Sequence, residues 1–279
     1  MLTATDINYT GITGVSQGLN GRVVFTSLAP LQSDPGQAIA VKQMQIGVPL
    51  HDLNLRFQFQ GDHIAVEGVS VESAGGTLTL EPTVLPLDNT SPISGAVTFN
   101  GLDFGQIVAT TGLAQSMKFD GKLTGRVPFS IIGGHISFAG GAAAADAPGR
   151  ISIFRSSVAD LTAGGSMAAN GAAAAAPADV NPFQDLAFQA MEHLSYDKLD
   201  AKINSTAGGK LDLNFHLKGR FDPPQPQKAT VSIADYLSGK WMQKPIKLPS
   251  GTPIELYLDV PVNLDEILND LSQFTKAKP

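Results

Sequence analysis

The sequence predicts a mainly β protein. Three observations carry this: alternation of apolar and polar residues in many short segments, a high glycine and proline content, and scarce charge. Gly (29) and Pro (18) supply the turns, and only 16% of the 279 residues are charged. In a half-buried strand successive side chains face opposite ways, so the apolar set recurs every second residue.

The alternation is clearest in HDLNLRFQFQ, where Leu53, Leu55, Phe57 and Phe59 interleave with Asn54, Arg56, Gln58 and Gln60. Leu211, Leu213, Phe215 and Leu217 interleave with Asp212, Asn214, His216 and Lys218 in the same way. Ile254, Leu256 and Leu258 alternate with Glu255, Tyr257 and Asp259, and Val260 and Val262 extend the run. GRVVFTSL (21–28), SGAVTFNG (94–101), GKLTGRVPFSI (121–131), GRISIF (149–154) and DKLDAKINS (197–205) are further strands. Glycines and Asp, Asn and Pro clusters separate them. No repeat of constant length runs through the chain.

Three short helices carry start signals. Asp103 caps residues 104–111, with Gln106 at the third position, Gly112 past the end, and Leu102 and Ile107 spaced as a staple. Asn181 caps PFQDLAFQAMEHL, with Pro182 at the first helical position. Asn263 caps LDEILNDLSQF (264–274), where Glu266 completes a capping box. The acidic polar face of this last helix suits capping of a sheet end better than lying on an anionic membrane.

Two small-residue tracts, AGGAAAADAPG (139–149) and TAGGSMAANGAAAAAPAD (162–179), read as poorly ordered, the second as a flexible insert. The chain is otherwise one domain over residues 1–279. Its beginning, MLTATDINYTGITG, has neither a basic nor an apolar leader pattern and reads as the interior of a longer protein.

Composition excludes several chemistries. There are no cysteines, hence no disulfides or thiolate metal sites. The net charge of −6 and the scattered Lys and Arg argue against nucleic acid. No stretch reaches the ~18–20 apolar residues of a membrane-spanning helix. The five histidines (51, 63, 135, 193 and 216) fall in no metal-ligand spacing. His51-Asp52 reads as a turn, and His216 as a solvated residue on the polar face of its strand. Nucleophile elbows, phosphate loops and calcium loops are absent. The sequence therefore predicts no enzyme, no metal and no cofactor. What remains is the apolar faces, which either pack on one another as a closed scaffold or are kept for an apolar ligand.

A resemblance bears on that choice. Gly21, Val23, Phe25 and Leu28, the Pro35-Gly36 turn, Ile46, Gly47, Pro49 and Phe57, and Gly75, Gly76, Leu78, Leu80 and Pro82 resemble the C-terminal region of the YdbH family. Gly101-Leu102-Asp103, then Gly121, Leu123, Gly125 and Pro128, follow the same order of motifs. So do Leu194, Tyr196, Asp197 and Leu199, and the pair Gly209-Lys210-Leu211 and Leu217-Lys218-Gly219. The family, also called "dicarboxylate transport", is related to AsmA, TamB and YhdP, long envelope proteins of Gram-negative bacteria anchored in the inner membrane. The resemblance implies a long, curved, mostly antiparallel sheet forming an open groove (a β-taco), with about three short helices. It implies a periplasmic segment that carries phospholipid acyl chains between inner and outer membrane, with an outer-membrane or envelope protein as a possible further partner. Leu53, Leu55, Phe57, Phe59, Leu211, Leu213, Phe215, Leu217, Ile254, Leu256 and Leu258 would line the groove. The alternative is a β-scaffold of the envelope that binds proteins without lipid.

Overall fold

A computed structural model describes residues 1–11, 14–46, 48–88, 90–110, 112–133, 135–154, 182–206, 210–228 and 247–263. Strands make up most of it, and nearly all join one antiparallel sheet that does not close into a barrel. Its strands are β1 (Leu2–Gly11), β2 (Gly14–Val23), β5 (Gln37–Ile46), β6 (Val48–Phe59), β7 (His63–Ser73), β8 (Gly76–Leu80), β10 (Ile93–Asp103), β12 (Lys122–Ile132), β14 (Gly141–Ala145) and β16 (Leu194–Ser205), in that spatial order. Beyond β16 lie β17 (Lys210–Phe221) and β18 (Pro253–Asn263). Shorter strands extend the ends: β9 (Thr83–Pro86) beside β7, β13 (His135–Phe138) beside β12, and β15 (Gly149–Ile153) between β16 and β11 (Met117–Asp120). A separate hairpin, β3 (Phe25–Leu28) and β4 (Leu31–Ser33), sits at the end of β6 through the bridge Gln32–Gln60.

Two α-helices are described, α1 (Phe104–Thr110) and α2 (Pro182–Glu192). The Asp103 cap forms as the sequence predicts. Its carboxylate accepts from the Gln106 backbone N–H at 3.2 Å and from the Gln106 side-chain amide at 2.9 Å. That satisfies one of the free N–H groups of the first turn. Leu102 is buried and Ile107 half-buried, as a staple requires. A 3-10 turn, Gly112–Gln115, follows α1. The Asn181 cap, the 264–274 helix and the 162–179 tract lie outside the described residues.

The structure corrects two readings. His51-Asp52 is not a turn but lies inside β6, with His51 paired to Gln43 and Glu72 and a register shift following it. Residues 139–149 are not a loop: Gly141–Ala145 is strand β14, held between β12 and β16 in the middle of the sheet. Alanine has low strand propensity alone, but propensity in sheets reflects the neighbours more than the backbone. Here large side chains of adjacent strands fill the space. A Cβ at Gly125, opposite Ala143, would lie 2.5 Å from Cζ of Phe99, so that ring lies over the glycine. A further small difference concerns 21–28: β2 ends at Val23 and a new strand starts at Phe25.

One hydrophobic cluster is fully closed. It comprises Leu123, Ile151, Leu194, Tyr196, Leu199 and Leu217, with Phe104, Met117 and Phe119 packed against it. Tyr196 is completely buried, and its hydroxyl donates to the Asp120 carbonyl at 3.2 Å. Burial, with the Asp120 charge nearby, pushes its pKa up to about 12. Gly149 makes room for it, since a Cβ there would sit 2.3 Å from the tyrosine oxygen.

Candidate functional site

The two faces of the sheet differ along their whole width. In an antiparallel ladder directly paired residues share a face. Starting from Leu55 and following the register, Ile39 pairs with Leu55, Leu55 with Val69, Val69 with Leu80, Leu80 with Val97, and Val97 with Val127. Gly141 continues the row, its Cβ position 3.3 Å from Cγ1 of Val127, and pairs with Ile203, which pairs with Leu213. The row crosses nine strands. At ~4.8 Å per strand it is about 40 Å long.

The neighbouring residues on the other face form the opposite ladder. Asn54, Ser70, Thr79, Thr98 and Arg126 pair in succession, then Ala142, Lys202, Asn214 and Asp259. We call the Leu55 side the inner face and the Asn54 side the outer face.

Charges gather on the outer face. Arg126 donates to both carboxylate oxygens of Glu81, at 2.6 and 2.8 Å, which holds the Glu81 carboxyl below its ordinary range. Glu255 is bonded to His216 at 2.8 Å and Lys218 at 3.1 Å, and accepts from Tyr257. These bonds, that of His216 foremost, hold its pKa down at about 2. His216 also stacks flat on Tyr257, with centroids 4.4 Å apart. The predicted polar-face placement of His216 therefore holds, but it is only half-exposed and has two partners.

Burial divides the inner face. All eight apolar side chains of the Leu55 row are half-buried and none is fully buried. Further along the same strands, the row Leu102, Leu123, Leu199 and Leu217 is 8%, 7%, 2% and 1% exposed. This second row belongs to the border where β10 ends and β16 begins, hereafter the upper border. The lower border is where β6 ends at Phe59 and β10 begins at Ile93.

The predicted lining residues fall into groups accordingly. Leu53, Leu55, Leu211 and Leu213 are half-buried on the inner face, outside the closed cluster. Phe57 is buried; it meets Phe59 edge-on, and Phe59 in turn meets Phe25 of the hairpin, each at 5.5 Å. Leu217 lies in the closed cluster, and Phe215, Ile254 and Leu256 pack against it. Leu258 pairs with Phe215. The register adds Ile39, Val69, Leu80, Val97, Val127 and Ile203 to the inner face; alternation within SGAVTFNG, GKLTGRVPFSI and DKLDAKINS places the last three on strands without saying which strands meet.

Near the upper border a cleft of about 500 Å³ is lined by Val108, Met117, Phe119, Arg150, His193 and Asp222, among others. Arg150 is ion-paired to Asp222 across it. Among the described residues no cluster of His, Asp and Glu has the makings of a metal site, and no helix is long and apolar enough to cross a membrane.

No curated protein and no solved structure matches the chain. A family described as YdbH-like, intermembrane phospholipid transport protein YdbH, matches residues 2–264. With nearly its whole length matched and its strands in one open antiparallel sheet, the chain belongs to the YdbH-like family.

Proposed function

We propose that the inner face carries phospholipid acyl chains through the periplasm of a Gram-negative envelope, as a segment of a bridge between the two membranes. The observation that carries this is the Leu55 row: an uncharged, half-buried apolar strip about 40 Å long. The bilayer hydrocarbon core is about 30 Å thick over two leaflets, so the strip is longer than one acyl chain. Each methylene taken from water contributes about 0.8 kcal/mol at any point of a uniform strip, so chains bind it without a fixed site. Binding without a unique minimum is what sliding transport needs. Leu53, Leu55, Leu211 and Leu213 form its floor, and Phe57 and Phe59 its lower wall. Leu217, Ile254 and Leu256 bound it from the closed side, beside Phe215, the residue with which Leu258 is in register.

The family's description, intermembrane phospholipid transport, supports the choice of cargo. Lipid transfer requires no catalytic group, and an envelope protein at either end of the sheet would serve as donor or acceptor.

The test is lipid analysis of protein purified without detergent from a Gram-negative host. Wild type is expected to carry phospholipid, and the double variant Leu55→Asp, Leu213→Asp to carry none while keeping its β-sheet circular dichroism. Both positions are half-buried, so the charges reach solvent and the fold survives. Wild type that is free of lipid after incubation with phospholipid vesicles would contradict the proposal and favour a protein-binding scaffold.

A further inference from the structure

The two long borders of the sheet are unlike, and this assigns a side to the lipid headgroup. Along the lower border the inner face carries no charge to the end of the strands, and it is open unevenly: on β6, β7 and β9 the row Phe57, Val66 and Thr83 is 5%, 4% and 8% exposed beside the β3–β4 hairpin, whereas on β10, β12 and β13 the apolar positions are half-buried. Phe59 pairs with Ile64 and Ile64 with Leu85; Ile93 pairs with Ile131 and Ile131 with Ile136. All six are half-buried. At this border two large aliphatic side chains from different strand ends are solvent-exposed: Leu87 (47%), and Ile132 (61%), which ends β12 on the outer, Arg126 side of the rim.

The upper border is closed. The inner-face positions that approach it are filled by Leu199, Leu217 and Tyr196, each at most 2% exposed, with Phe119 and Ile151 of β11 and β15 packed into the same cluster. A charged phosphate has no wet path across that cluster, and burying it unpaired would cost many kcal/mol.

We propose that bound phospholipids lie with their acyl chains along the Leu55 row and their headgroups over the lower border, past Leu87 and Ile132. The ligand class is a diacyl phospholipid, and the inference rests on the lipid-carrying reading above. The lower border is thus the side at which lipid enters, leaves and meets water. The upper border is a structural spine that headgroups do not touch.

The protein has no cysteine, so single-cysteine labelling is clean. A fluorophore is placed at Ile132→Cys or Leu87→Cys on the lower border, and at Lys122→Cys or Asp146→Cys on the upper. All four sites are exposed, so folding is retained. Lys122 and Ile132 end the same strand, ten residues or ~33 Å apart. Each protein is loaded from vesicles containing a phospholipid with a nitroxide on its headgroup, then freed of vesicles, and bound lipid is quantified as phosphate. Severalfold stronger quenching at positions 87 and 132 than at 122 and 146 is expected. Bound lipid with equal quenching, or stronger quenching at the upper sites, would overturn the assignment and leave the lipid-carrying reading standing. No bound phosphate in any variant or in wild type would overturn both.

Discussion

Leu213 and Leu217 are the same residue on the same strand and the same face, four positions apart, yet one is half-buried and the other 1% exposed. Leu217 sits in a dry cluster with Tyr196 and Leu199. Leu213 sits in the row from Ile39 to Ile203, which no described element covers to the same degree. One sheet is therefore packed unevenly. Its upper border supplies stability through close packing, as do Val41, Phe57 and Val66 on β5–β7, while the Leu55 row stays half-buried.

The largest expected effect tests the stability half. Leu217→Ala removes a fully buried side chain and is expected to cost about 2–5 kcal/mol. Leu213→Ala should cost on the order of 1 kcal/mol, because part of its surface is already in water. Urea unfolding of the two variants measures the difference, and equal losses would erase the distinction between the halves.

Next in size is the small-residue centre. Gly125→Ala places a Cβ 2.5 Å from both the Ala142 carbonyl oxygen and Phe99 Cζ. The Phe99 ring can move but the Ala142 backbone cannot, so a loss of about 1–3 kcal/mol is expected in the same unfolding measurement. At α1, Asp103→Ala removes the cap and should cost about 1 kcal/mol. Its signature is faster amide exchange confined to residues 104–110.

The smallest effect concerns acid. Glu255 has a folded pKa of about 2 against an ordinary value of 4.5, so its bonds to His216 and Lys218 contribute stability above pH 4.5. That contribution is lost as pH falls from 4.5 through about 2, when the carboxylate takes up a proton. Amide protection along β18 should decline over that window relative to β7, and Glu255→Gln should remove the pH dependence.

Much of the architecture was legible in the residues, for identifiable reasons. Alternation in Leu53–Phe59 and Leu211–Leu217 marks a sheet with one apolar face, and Asp103 with Gln106 marks a helix start to the residue. The alanine strand β14 was not legible, because alternation is invisible where every side chain is small; its place comes from Ile203 on the neighbouring β16 and from Phe99, which reaches from β10 over Gly125 of the neighbouring β12. The candidate site was legible in part. Leu55 and Leu213 are equally apolar in sequence, but that they belong to one row depends on a register set by bulges and turns across eight strands. The contrast between Leu213 and Leu217 leaves no trace in a period-2 pattern, since burial is decided by Tyr196 and Phe119, distant in the chain.

The central claim is that the inner face is open to apolar cargo at Leu213 and closed at Leu217. It is tested most directly by the rate at which an apolar maleimide modifies Leu213→Cys and Leu217→Cys in the otherwise cysteine-free protein. Fast modification at 213, slowed by preloading with phospholipid, and none at 217 on the same timescale is the predicted result. Slow modification at both positions, unchanged by lipid, would show a face packed throughout and contradict the account.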